Sequence, residues 1–128
     1  MHKAHNPPTV PKPGSAYHQA VEVAANARWL HISGQLGISP EGKLAAGTAA
    51  QAEQAWANIL SIVAAAGMRP ENLVKITTFI VDPADVATVR AAREKALGQV
   101  RVASTLLVVQ GLASPQYRIE IEAVAAKA

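Results

Sequence analysis

Near its C-terminus the chain runs Tyr117-Arg-Ile-Glu-Ile-Glu-Ala-Val-Ala125, and the two carboxylates in this apolar stretch are the side chains best placed to do chemistry. Strict alternation of apolar and polar residues predicts a β-strand, whose successive side chains point to opposite faces. Ile119, Ile121 and Ala123 then share one face, and Arg118, Glu120 and Glu122 share the other. Neighbours on a face lie about 6.5 Å apart at the rise of a strand. An acid held there is solvated, salt-bridged or catalytic. The pattern alone favours solvation, because a charged strand face is usually wet.

Other reactive side chains are few. There is no cysteine, which excludes disulfides, thiolate metal sites and a Cys nucleophile. Of the four histidines, His2 and His5 sit in the Pro-rich first 14 residues and only His18 and His31 lie beyond it, so no metal site is expected. The net charge is +3, but the twelve Lys and Arg are scattered along the chain. Arg90, Arg93 and Lys95 are the one close group, and they read as the exposed side of a helix. With no stacking aromatics beside them, nucleic acid is not an expected partner.

The elements that must position these residues follow from pattern and punctuation. At 128 residues, half of them hydrophobic, the chain is long enough for one domain with a real core. Only 4% are aromatic, so that core is built from small side chains, and apolar surface is left over for an oligomer to cover. No apolar run approaches the ~20 residues needed to span a bilayer, and the N-terminus carries no apolar signal core. A cytoplasmic protein is expected.

Residues 1–14 read as an extended or flexible arm, and 15–128 as a single domain. Runs at 17–23 and 28–33 flank Ala25-Asn26 and predict a β-hairpin. Thr48-Ala-Ala-Gln51 has the form of a capping box, opening a helix with Ala52, Trp56, Ile59, Leu60 and Val63 on one stripe and a stop at Gly67. The β-branched run 73–81 predicts a buried strand. Asp82-Pro83 caps a second helix that runs to Leu97 and stops at Gly98. Strands at 102–109 and 117–124 complete the order ββαβαββ. That order predicts an α+β fold, a single mixed sheet of about six strands with two helices packed on one face.

Several strings resemble the Rid family of reactive intermediate deaminases, also called YjgF or L-PSP. They are "SGQ" at 33–35, Gln51-Ala52 with Asn58, "AAG" at 65–67, "VKITTFIVD" at 74–82, "ATV" at 87–89 and "IEIEA" at 119–123. The likeness covers nearly everything from Tyr17 onward. It implies a chorismate mutase-like fold and a homotrimer whose small-molecule pockets lie between subunits. No cofactor is expected. The glutamate matching Glu120 positions the water that attacks an imine carbon in deaminating members, which makes Glu120 the catalytic candidate. Tyr17 matches the pocket tyrosine, and Ser33 and Gly34 match the turn whose backbone approaches the ligand. Glu122 matches no such role and is read as solvated or paired with Arg118.

Two departures change the expectation. Deaminating members carry Pro-Ala-Arg-Ser or Pro-Ala-Arg-Thr at the start of the fifth strand, and the arginine clamps the substrate carboxylate. This chain has Val102-Ala103-Ser104-Thr105, with Ser104 at the arginine's place. A hydroxyl lacks the paired N–H fork, and losing such a contact in a buried site costs about 2–5 kcal/mol. Arg90 replaces the pocket asparagine of the second helix. Tyr17, Ser33, Gly34, Arg90, Ser104 and Thr105 are therefore the ligand-binding candidates around Glu120. Standard 2-imino acid deamination is doubtful, which leaves three functions. One is hydrolysis of a small imine, enamine or carbonyl compound with altered specificity. The others are metabolite binding without chemistry and, least supported by the residues, endoribonuclease activity.

Overall fold

The structure is a computed structural model that describes residues 2–128. Six strands and two helices give the expected α+β architecture: β1 (Lys3–His5), β2 (Ala20–Glu22), β3 (Arg28–Leu36), α1 (Thr48–Ala65), β4 (Leu73–Ile80), α2 (Val86–Leu97), β5 (Ala103–Val108) and β6 (Ile119–Lys127). Four strands form a mixed sheet in the order β3-β6-β4-β5, with β6 antiparallel to both neighbours and β4 parallel to β5. The other two, β1 and β2, form a separate antiparallel ribbon.

The hairpin expected between 17–23 and 28–33 is not formed. Lys3 pairs with Glu22 and His5 with Ala20, so the N-terminal arm takes the place of β3 beside β2. His5 Nε2 lies 2.6 Å from Glu22 Oε2 and Asn6 Nδ2 3.0 Å from His18 Nδ1. The segment then runs along the sheet edge, where the His18 amide donates to the Val102 carbonyl at 2.8 Å. Ala25-Asn26 supplies a turn, but local turn chemistry does not choose which strand is the partner.

The core sits between the sheet and α1. Ile119, Ile121, Ala123 and Ala125 of β6 and Ile76 and Ile80 of β4 are buried against Ala52, Ala55, Trp56, Ile59 and Val63 of α1. Burial of each large aliphatic side chain contributes about 1.5–3 kcal/mol. α1 packs on β3 and β6, and α2 lies beside α1. Both helices stop where expected, at Gly67 and Gly98, with φ of 71° and 58°. Asp82 caps a short 3₁₀ turn, Pro83–Asp85, through Oδ1 accepting from the Ala84 amide, and not α2 itself as expected, whose N-cap position is Asp85.

The capping box at Thr48 and Gln51 does not form. Gly47 holds the N-cap position, and the Thr48 hydroxyl donates instead to Asp85 Oδ2 at 2.9 Å. Gln51 is buried and serves three distant backbone groups: Nε2 donates to the Ala45 and Gln116 carbonyls, and Oε1 accepts from the Arg118 amide. Arg118 Nη2 pairs with Asp85 at 3.0 Å and approaches Asp82 at 3.5 Å, so its acids come from before α2 and not from Glu122. α1, the start of α2 and the entry to β6 are thus tied by one polar cluster. Gln51→Ala leaves the partly buried Arg118 amide without its acceptor and is expected to cost about 1–3 kcal/mol, read as a lower midpoint in urea unfolding with an unchanged slope.

Candidate functional site

Glu120 stands on β6 between Leu36 of β3 and Phe79 of β4, on the face of the sheet away from the helices. β3 carries an irregularity between Ile32 and Gln35, and this bulge presents Ser33 and Gly34. A Cβ at Gly34 would overlap Glu120 Oε2, so the missing side chain is what admits the carboxylate. Glu120 has no side-chain hydrogen bond or ion pair among the described residues, and it is only half-buried. It therefore keeps its acceptor capacity for a ligand or a water. Glu122, opposite Thr77, is exposed.

The remaining candidates lie elsewhere. Ser104 pairs with Ile76, a core residue, and so points to the helix side of the sheet. Thr105 pairs with Thr77 and points to the Glu120 side, where its Oγ1 is 2.6 Å from Lys75 Nζ. Tyr17 belongs to the segment at the start of β5, which α2 anchors through Arg93 Nη2 donating to Ser15 Oγ at 3.1 Å. Arg90 is exposed on α2, one turn before Arg93. Arg101, three residues before Ser104 and the arginine nearest to it in sequence, is not a substitute for the missing clamp: its Nη1 donates to the Gly98 and Val100 carbonyls at the end of α2.

One chain therefore gathers two half-sets. Glu120, Ser33 and Gly34 form one on the uncovered face. Tyr17, Ser104 and Arg90 belong to the α2 and β5 side. Ser104 and Glu120 are two strands apart, about 10 Å laterally, and on opposite faces. A cavity of about 340 Å³ beneath the β1–β2 ribbon and one of about 450 Å³ at the β5–β6 loop contain none of these residues.

Two residues that the sequence reading left out carry charge in these surroundings. Lys75 is the first of the alternating Lys75, Thr77 and Phe79, and that period-2 pattern was the signal for its face. It lies four residues along β4 from Phe79, about 13 Å from the Glu120 position, so it serves Thr105 and not the acid. Arg93 reads as an exposed helix residue but is only 6% exposed. Burial pushes its guanidinium below the usual arginine value, with Arg90 and Arg101 pushing the same way and Glu94 and Tyr17 opposing. Among the described residues no group of three or more His, Cys, Asp and Glu could hold a metal ion. Among the described residues no helix is long and apolar enough to cross a membrane.

The Endoribonuclease L-PSP family matches residues 8–127. The chain belongs to that family, also known as Rid or YjgF. Over 76 residues it is 46% identical to a RutC family protein of Aquifex aeolicus, covering 59% of this chain and 58% of that one. Over 63 residues it is 44% identical to the 2-iminobutanoate/2-iminopropanoate deaminase of Escherichia coli K12, covering 48% and 49%. The chain thus matches about half the length of these curated relatives. Among solved structures, a Rid family protein of unknown function from Yersinia pestis, YyfB, superposes with a TM-score of 0.88 at 33% identity, over 98% of both chains.

The contact at Gly34 gives a direct test of the site's construction. Gly34→Ala forces the Glu120 carboxylate aside and is expected to reduce any binding of a small molecule that depends on Glu120, while leaving the far-ultraviolet circular dichroism unchanged. Binding equal to the unaltered protein would show that Glu120 does not need its observed position.

Proposed function

We propose that the chain forms a homotrimer whose clefts bind a small imine, enamine or carbonyl compound and hydrolyse or deaminate it, with a specificity different from that of 2-imino acid deaminases. The observation that carries this reading is the division of the candidates between the two sides of the sheet. The uncovered face of one copy offers Glu120 and the Ser33-Gly34 bulge. The β5 and α2 side of another offers Tyr17, Ser104 and Arg90. Docking the two completes the set, and it also covers an uncovered sheet face that includes Phe79 and the exposed Leu107 and Trp29.

In such a cleft the Glu120 carboxylate accepts a hydrogen bond from a water and aims its oxygen at the C=N carbon. As the C–O bond forms, the π pair moves to nitrogen, which takes up a proton. The first water proton reaches that nitrogen by way of Glu120; the second follows by the same route as the hydroxyl oxygen forms the C=O bond, the C–N bond breaks and ammonia leaves. Imine and water become carbonyl and ammonia, and atoms and charge balance. General base assistance of this kind contributes about 10²–10⁴-fold. The deaminase name of the Escherichia coli relative supports the reaction class. The serine at 104 supports the change in specificity and also favours the second reading, a trimer that holds a metabolite without converting it.

Ammonia release from freshly generated imines, with and without a carboxylate, is expected to exceed that of Glu120→Ala by at least about 10²-fold for some members of the panel. No excess over Glu120→Ala, together with a metabolite that co-purifies unchanged, would establish the binding reading. Light scattering is expected to give three times 13.4 kDa, and a stable monomer would remove the shared cleft.

A further inference from the structure

Ser33 and Gly34 meet Glu120 only while the end of β3 beyond the bulge is held in place. Pairing with β6 resumes there as Gln35 opposite Ile121 and Leu36 opposite Glu120, and Leu36 is the last residue of the strand. A bulge interrupts the ladder and a strand end frays, so two rungs are a weak hold on the backbone that faces the carboxylate. Gln35 braces the bulge itself, its Nε2 donating to the Ser33 carbonyl at 3.1 Å.

The stronger hold comes from α1. Asn58, half-buried within that helix, donates from Nδ2 to the Leu36 carbonyl at 3.2 Å and to the Ile38 carbonyl at 2.9 Å. Its Oδ1 accepts from Gln54 Nε2 at 2.9 Å, which turns the donor end of the amide toward the strand. Between the two carbonyls lies Gly37, buried against Gln51, where a Cβ would overlap the Gln51 Cα. Residues 51, 54 and 58 have the spacings of three and four that put side chains on one helix face, so one stripe of α1 fastens residues 36–38. None of these Asn58 bonds goes to the backbone of α1, and asparagine forms helices less well than alanine. The side chain serves the strand and not its own helix.

We propose that Asn58 is a positioning residue for Glu120. By fixing the Leu36 and Ile38 carbonyls it sets the strand end opposite Glu120, and with it the close approach of Gly34 that aims the carboxylate. Asn58 stands on the helix side of the sheet and acts through β3, without touching the ligand. The inference rests on the reading of Glu120 under Proposed function and names the group that holds its aim.

The test compares the intact protein with Asn58→Ala and Asn58→Asp. Alanine removes both donors and suits a helix, so this variant is the one expected to fold; aspartate keeps the shape and sets an acceptor against two carbonyls. In ¹⁵N- and ¹³C-labelled protein without ligand, both variants are expected to shift the Gly34 amide and the Glu120 side-chain carboxyl resonances while the Gly98 amide, at the end of α2, stays in place. On an imine that the unaltered protein deaminates, Asn58→Ala is expected to lower kcat about tenfold with KM within about twofold, the mark of misaligned groups and not of a lost ligand contact. An asparagine that only stabilises the fold would lower the midpoint of urea unfolding and nothing else. Gly34 and Glu120 resonances unmoved in Asn58→Ala, or an unchanged kcat, overturn the proposal. The resonances need no substrate, so they separate this proposal from the reaction: if the unaltered protein releases no ammonia from any imine, the chemistry falls and the resonances alone decide whether Asn58 places Glu120.

Discussion

The alternation of side chains along β6 is the constraint from which both the core and the candidate site follow. This strand is hydrogen-bonded on both edges, to β3 and β4, so its register is fixed twice. Ile119, Ile121, Ala123 and Ala125 must then all face α1, because a slip of one residue would put every one of them on the open face and bring the glutamates into the core. Burying those apolar residues is what holds Glu120 outward. The acid needs no bond of its own to stay there, and among the described residues its side chain makes none. The strand that stabilises the fold is therefore also the one that presents a free carboxylate.

The polar cluster at the other end of the strand sets where β6 begins. Gln51 accepts from the Arg118 amide, and the Arg118 guanidinium reaches Asp85, which also accepts from Thr48. α1, the approach to α2 and β6 share these partners, so the position of Glu120 along the sheet is coupled to the start of both helices. Buried glutamine is a demanding choice for such a joint, since each of its groups must be satisfied. It is satisfied here by three distant backbone groups, which makes the joint specific to this arrangement of elements.

What could be read from the sequence were the features that depend on near neighbours. The alternation at 119–123 and the stops at Gly67 and Gly98 each involve a few consecutive residues and appear as the pattern predicts, while Asp82 caps the 3₁₀ turn before the second helix. The failures share the opposite character. Thr48 and Gln51 have the spacing of a capping box, but their side chains were taken by Asp85, Ala45, Gln116 and the Arg118 amide. The turn at Ala25-Asn26 is real, while the partner of β2 was decided by the arm, 17 residues away at His5 and Glu22. Among the site candidates, Glu120, Ser33 and Gly34 were legible as a set and the structure brings them together. Ser104 and Thr105 were both taken from one matched string at the start of β5, and neighbours on a strand face opposite sides. Arg93 was hidden for a related reason: a helical residue three positions from Arg90 reads as solvated unless the segment covering it, here Ser15 to Tyr17, is known to pack there.

The division of the candidate residues between the two sides of one sheet would have, in the proposed site, a physical consequence for specificity. The residues around Glu120 are constrained by β6 register and by the close approach of Gly34, where any side chain would collide with the carboxylate. On the other side, Ser104 lies on an edge strand with β4 as its one strand neighbour within the sheet, and Arg90 is exposed on a helix. Substitutions there disturb few core contacts and cost little stability. A fold of this kind can keep one half of a reaction site rigid and exchange the groups on the other half that recognise the ligand. The serine at 104 and the arginine at 90 belong to the half that is free to change, whereas the buried arginine at 93 does not. The retained Glu120 belongs to the half that the core holds in place.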